Sequence, residues 1–307
     1  MNKNNILKVT LIGLVIIGIF LASLAFWIVP RSLTVREMSV QSPRWKGPPL
    51  KVALVSDTHG DRFHMPPSRI RALSLAVTNL KPDIILLGGD YVGGHFAQSG
   101  LPMAQRSRRS VSDNEFEAAV IEAHKSFKAP LGVFAVMGNH DCWWDCDEVR
   151  RLFANSHIKL LENNAVEISR AGGTFWVVGL EDEQTQAPNF ASANRDVPPN
   201  SDILTLVHNT KLFSWPSNTS AIQFSGHSHG GQVRFPIIGA PVRMAFTEET
   251  VDKPLVQDGR VLVVTTGVGA VGLPVRFGVP PEIALITVSR GDVVHGIGQK
   301  RRPIEGR

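Results

Sequence analysis

The chain has 307 residues, room for one large α/β domain or two ordinary ones, and its 43% hydrophobic and 19% charged residues exclude a disordered or low-complexity protein. The net charge of +5 is modest, much of it in the tail Gln299-Lys300-Arg301-Arg302 and the run Arg106-Ser107-Arg108-Arg109. A basic rim suits an anionic substrate or an anionic membrane surface, and plain solvated charge accounts for either cluster equally well.

From Val9 to Val29 the chain is apolar except for Thr10 and Ser23. At ~1.5 Å per residue it can cross a ~30 Å hydrocarbon core. Ser23-Leu24-Ala25 resembles a signal-peptide cleavage site, but the apolar run continues through Phe26, Trp27 and Ile28, which favours an uncleaved anchor with Trp27 at the interface. Lys3 and Lys8 precede the run, while Arg31, Arg36, Arg44 and Lys46 come after it. That count leans toward a cytoplasmic domain, whereas short signal-like starts often send the downstream chain outward. The side stays open, with a lean to the outer face of a bacterial cytoplasmic membrane. Residues 30–49, with Pro43, Pro48 and Pro49, read as a linker.

Leu50 to Ser56 is a short apolar run suited to a buried strand. Ser68 is the expected cap of a helix carrying Ile70, Leu73, Ala76, Val77 and Leu80 on one face. Ile84 to Leu87 is the next strand. Asp113 can cap a helix bearing Phe116, Ala119, Val120 and Ala123, and Gly132 to Val136 is a strand. A short helix is expected around Asp147 to Ala154. Strand-like runs come next at 158–161, 166–169, 175–180, 203–207, 222–224, 261–265 and 283–288. The first third alternates strand and helix and the rest is strand-rich, which fits an α/β fold of two mixed β-sheets packed face to face with helices outside. Residues 91–112 and 182–201 are long polar loops, a length that usually carries function or disorder.

Five short blocks rich in Asp, Asn and His come directly after predicted strands: Asp57-Thr58-His59, Gly88-Gly89-Asp90, Gly138-Asn139-His140-Asp141, His208 and Gly226-His227-Ser228-His229. Ligands in open α/β sheets gather beyond the carboxyl ends of strands, so these blocks can face one crevice. Residues two apart on extended chain point the same way, which lets His59 join Asp57 and His229 join His227 at a common centre. Taken singly, each block is better explained as a turn or as a hydrogen-bonded core histidine. Together they supply candidate metal ligands Asp57, His59, Asp90, Asn139, His208, His227 and His229, one short of two four-ligand sites unless one carboxylate bridges. Cys142 and Cys146 are too few for a disulfide framework, and a zinc site using them with His157 lacks a fourth ligand; two free thiols are the expectation.

In order and content this set resembles the calcineurin-like metallophosphoesterase superfamily, over residues 57 to 229. The segments Gly267-Val268-Gly269, Gly272-Leu273-Pro274-Val275-Arg276-Phe277 and Pro280-Pro281-Glu282-Ile283 look like the closing segment of its membrane-anchored bacterial branch. The resemblance implies a four-layer sandwich over residues 50–292, preceded by an anchor and linker (1–49) and succeeded by a basic tail (293–307). It implies one metal held by Asp57, His59 and His229, a second by Asn139, His208 and His227, and Asp90 bridging them. His140 would face the substrate as general acid, steadied by Asp141. The family often has a second Asp three residues after the bridging one; Gly93 stands there, so a supporting contact is in doubt.

Mixed carboxylate, amide and imidazole ligands suit two divalent ions such as manganese, iron or zinc. A pair of them would acidify a shared water and neutralise charge on the phosphoryl oxygens. The expected activity is hydrolysis of a phosphoester, and more specifically of a phosphodiester, by a metal-bridging hydroxide. A tether favours lipid-linked or envelope-derived substrates, with Arg276 and the Arg106 to Arg109 run able to pair with a second phosphate. Nucleic acid is disfavoured, because Tyr91 is the only tyrosine and no basic stripe is interleaved with aromatics. The alternatives are a pyrophosphate hydrolase acting on a UDP-linked acylated sugar and, from another class, a scaffold that has lost catalysis.

Overall fold

A computed structural model describes residues 2–93, 111–215, 219–241, 254–292 and 297–304. Strands β1 (Thr34–Ser42), β2 (Leu50–Val55), β3 (Ile84–Leu87), β4 (Val133–Ala135), β5 (Ile158–Leu160), β12 (Glu282–Arg290) and β13 (Ile297–Pro303) form one sheet, in the order β13-β1-β12-β2-β3-β4-β5. β2 to β5 are parallel, and β12 enters antiparallel to β2. The second sheet has the order β10-β11-β9-β8-β7-β6, built from β6 (Asn164–Arg170), β7 (Gly173–Gly179), β8 (Ile203–Leu206), β9 (Ile222–Ser225), β10 (Leu255–Gln257) and β11 (Arg260–Val264).

Alternation along each strand sends side chains to two different layers. Val52 and Leu54 pack with Ile84, Leu86, Phe175, Leu204 and Phe224 between the sheets. Ala53 and Val55 join Ile85 and Leu87 on the other face, under α2 (Pro67–Asn79) and α3 (Val111–His124). The outer face of the second sheet is covered by Phe190, Ala193 and Leu212. The result is helix, sheet, sheet, helix, the α/β architecture expected. In α2 the buried face is Ile70, Leu73 and Val77, but the cap is Pro66 rather than Ser68, because Pro67 already has the φ of a first helical residue.

Part of the stretch read as a linker is a strand: β1 pairs parallel with β12 and antiparallel with β13. Its polar sequence hid it. Arg36 is buried against Glu282 at 2.9 Å, a non-local partner no window of sequence contains. The basic tail is likewise engaged, Arg301 with Glu282 and Arg302 with Glu37, both at 2.8 Å. The run Arg106 to Arg109 lies outside the described residues.

Cys142 and Cys146 are joined in a disulfide, not free. They lie on α4 (Asn139–Ala154), which is interrupted at Asp145 (φ −170°, ψ 101°), and this extended residue lets the two Cα atoms approach to 4.2 Å. Asp145 Oδ1 then accepts the N–H groups of Asp147 and Glu148, an N-cap for the second half of the helix. The sequence pattern located that half alone.

His124, at the end of α3, is fully buried between the Val120 carbonyl at 2.8 Å and the Thr58 hydroxyl at 3.0 Å. Burial pushes its imidazole down to about 4. Below the ordinary value of 6.5 the unfolded chain takes up this proton and the folded chain does not, so stability falls from pH 6.5 toward pH 4 and the loss then levels off. The expected contribution is about 3 kcal/mol. Denaturant titrations across that range should show a shallower fall for His124→Gln than for the parent.

The amino terminus is one helix, α1, running from Lys3 to Arg31, long and apolar enough to cross a membrane and with none of its apolar window buried. Leu24–Ile28 within it is a π-helical turn.

Candidate metal centre

The blocks that end β2, β3, β4, β8 and β9 converge at one edge of the sandwich. Asp57, His59 and His229 bring ligand atoms within 4.8 Å of one another, as do Asp90, His208 and His227. Asp90 Oδ2 lies between the groups, 3.5 Å from His59 Nε2 and 3.1 Å from His208 Nε2. All are buried except His227, which is partly exposed.

The backbone at these positions is strained. Asp57, His59, Asp90, His227 and His229 have φ of 55°, 39°, 54°, 67° and 50°, in the left-handed region that non-glycine residues rarely enter. Such strain persists only where surrounding structure over-determines it, and it clusters at functional sites. Two glycines make the room. A Cβ on Gly138 would collide with Asp90 Oδ1, and one on Gly226 with Ser56 Oγ and Asp57 Oδ2. Gly226→Ala is therefore expected to displace the Asp57 carboxylate, costing about 1–3 kcal/mol of stability and weakening metal uptake, as thermal unfolding and metal analysis of one sample would register.

Several contacts suit a cation. His59 Nε2 faces His229 Nε2 at 3.0 Å, and His227 Nδ1 faces His208 Nε2 at 3.1 Å. Burial, then neighbouring His140 for His59 and His208 for His227, holds both imidazoles down to about 3, and burial keeps His229 well below its ordinary value. Neutral rings offer lone pairs, not charge. Asn139 Oδ1 is buried with no hydrogen-bond partner. Oxygen and imidazole donors arranged this way, with a carboxylate between two clusters, fit a pair of borderline divalent ions.

The residues around the centre depart from expectation in two places. Asp141 does not touch the His140 ring: its carboxylate accepts the N–H groups of Gly138, Asp90, Tyr91 and Val92 at 2.8–3.3 Å, tying the Asp90 loop to the Asn139 loop. His140 Nδ1 instead donates to the carbonyl of Gly93 at 3.2 Å. The glycine that replaces the family's second Asp thus supports His140 through its main chain, and a Cβ there would crowd the Gly60 carbonyl at 2.7 Å. Arg276 is also unavailable to a phosphate. It is fully buried, bonded to the carbonyls of Gly269, Thr266 and Gly267 and set 3.4 Å from His229 Nδ1. Burial lowers it to about 10.

Sequence reasoning missed Gln184, whose amide lies 3.0 Å from His227 Nε2. It sits in the long loop 182–201, whose length was the available signal. Trp143 was missed too; its ring packs on His140 at 4.7 Å. A cleft of about 230 Å³ runs outward from His59 between Phe63, Phe116, Gly272 and Pro274.

Two sheets with a carboxylate and imidazole cluster at the strand ends define a metal-dependent hydrolase. The chain belongs to the calcineurin-like phosphoesterase family, whose pattern matches residues 50–231. It is a metallophosphoesterase, a hydrolase of phosphoester bonds. A metallophosphoesterase of Aquifex aeolicus is 24% identical over 265 residues, covering 83% of this chain and 92% of that protein. Phosphodiesterase YaeI of Escherichia coli is 29% identical over 247 residues, covering 78% and 82%. The UDP-2,3-diacylglucosamine pyrophosphatase LpxG of Chlamydia trachomatis is 23% identical over 297 residues, covering 77% and 83%.

Proposed function

We propose that the protein is a membrane-anchored phosphodiesterase whose centre takes two divalent ions, manganese, iron or zinc. Asp57, His59 and His229 would hold one ion, Asn139, His208 and His227 the other, and Asp90 both. The observation that carries this is the position of Asp90 Oδ2, within 3.5 Å of an imidazole nitrogen from each cluster. When bound, such ions supply Lewis acidity to phosphoryl oxygens and to the attacking water.

The chain's own groups do the rest. His140, with Nδ1–H held by Gly93, would present its other ring nitrogen as general acid to the departing alkoxide. Its backbone N–H donates to Asp90 Oδ1 at 2.8 Å, which ties the main chain of the proposed acid to the carboxylate that would bridge. Asp141 holds the two loops in register. Gln184 fixes the orientation of His227.

The anchor and the disulfide support residence at the outer face of the cytoplasmic membrane, because disulfides persist in oxidising compartments. Lipid-linked or envelope-derived phosphoesters are then the nearest substrates. Similarity to LpxG favours a second reading, pyrophosphate hydrolysis on an acylated nucleotide sugar. Retention of the full ligand set weighs against an inert scaffold.

Purified protein should carry close to two equivalents of metal by elemental analysis. Soaking in chelator should remove both the metal and the hydrolysis of bis(4-nitrophenyl) phosphate, and added manganese should restore it. Hydrolysis indifferent to chelator would overturn the proposal.

A further inference from the structure

The cleft leading to His59 opens beside the anchor. Arg276 donates its backbone N–H to the carbonyl of Ala25 at 2.9 Å, and the Arg31 guanidinium reaches the carbonyl of Phe63 at 3.2 Å. Pro30 explains why Ala25 is free to accept. In the π-helical turn the Val29 N–H bonds back to Leu24, and the next donor, due to meet Ala25, is missing from proline. Ala25 lies four residues inside the end of the apolar run at Val29. At ~1.5 Å per residue, the loop that touches it sits ~6 Å toward the hydrocarbon.

Three loops gather at this level: residues 61–65, 232–239 and 271–278. Gln232 joins two of them, donating to the carbonyls of Val271 and Leu273 at 3.0 and 3.2 Å, and the rings of Phe235 and Phe277 meet at 5.5 Å. The tips are apolar and left outside the protein. Ile237 is 98% exposed, Phe63 77%, Ile238 71% and Leu273 55%. Ile237 and Ile238 form the turn of a hairpin closed between Phe235 and Gly239 at 3.0 Å, so their exposure is set by the fold. A cluster of large apolar side chains held open to water is unfavourable and marks a contact surface. Arg31 stacks on Trp27 at 3.3 Å beside it, the cation and aromatic belt of a membrane interface.

We propose that these loops form a bilayer-contact face continuous with the anchor, inserting Phe63, Ile237, Ile238 and Leu273 among the lipids. The cleft, lined by His59 at one end and by Phe63 and Pro274 at the other, then opens at the level of the lipid phosphates. This rests on the reading of α1 as a membrane span and deepens the proposed function by fixing where the mouth of the site lies.

The test uses the full chain in phosphatidylcholine vesicles doped with lipid spin-labelled high on the acyl chain. A bimane fluorophore is attached to Ile238→Cys; the native cysteines are paired and leave the label one site. The expected result is a blue shift and loss of most of the emission. A label on Ala171→Cys is the control and should stay bright. Its neighbour Gly172 packs on Pro48, beyond the far end of the nine-residue β1, ~26 Å from Thr34 and the anchor. Unquenched emission from position 238 overturns the proposal, whether it matches water or is blue-shifted by contact with a second copy. Turnover of soluble bis(4-nitrophenyl) phosphate on the same samples reports separately on the phosphodiesterase reading, since quenching needs no catalysis.

Discussion

Asp90→Ala is expected to reduce diester hydrolysis about a thousandfold or more, the upper range for loss of one electrostatic stabiliser, and to lower the content of both metals together. The reason is geometric. Among the described residues, Asp90 is the carboxylate that reaches imidazole nitrogens of both clusters, since Oδ2 faces His59 and His208 while Oδ1 takes the His140 N–H. Alanine would leave those nitrogens without the negative charge that draws a cation between them. Asp90→Asn retains size and the acceptor for His140 but not the charge, so it should fail almost as badly. Elemental analysis and turnover on the same preparation decide the matter. A variant that kept one ion at full occupancy would show that Asp90 serves a single site.

The order of the strands' chemistry was legible because the candidate blocks come after short apolar runs that suit buried strands, as Ile84 to Leu87 precedes Gly88-Gly89-Asp90. Burial patterns of this kind are local, and local signals survive in sequence. What was not legible depended on distant partners. β1 fell within a stretch read as linker from Pro43, Pro48 and Pro49, and the partners of its Arg36 and Glu37, Glu282 and Arg302, arrive some 250 residues later. Arg276 looked like a phosphate ligand because charge in sequence carries no depth; only the fold puts four carbonyls and His229 around it. The cysteine pairing depended on one extended residue, Asp145, within a helix. Asp141 was placed beside His140 because the resemblance implied it, whereas at this helix start its carboxylate is aimed at backbone donors.

His140→Ala is expected to leave metal content intact and to slow turnover by about 10²–10⁴, the usual worth of a positioned general acid. Only the ring is lost in this variant. The backbone N–H that braces Asp90 Oδ1 remains, as does the Asp141 carboxylate that links the two loops. The effect should depend on the leaving group. A nitrophenolate departs without a proton, so hydrolysis of bis(4-nitrophenyl) phosphate should fall little, while a diester with an alkyl leaving group should lose the full factor. A structural role would slow both substrates alike. The competing possibility is specific, because a ring nitrogen of His140 lies within 4.8 Å of ligand atoms of His59 and Asp90. If the alanine variant came out depleted of metal, His140 would be a ligand. The acid would then have to be sought among the groups lining the cleft beyond it.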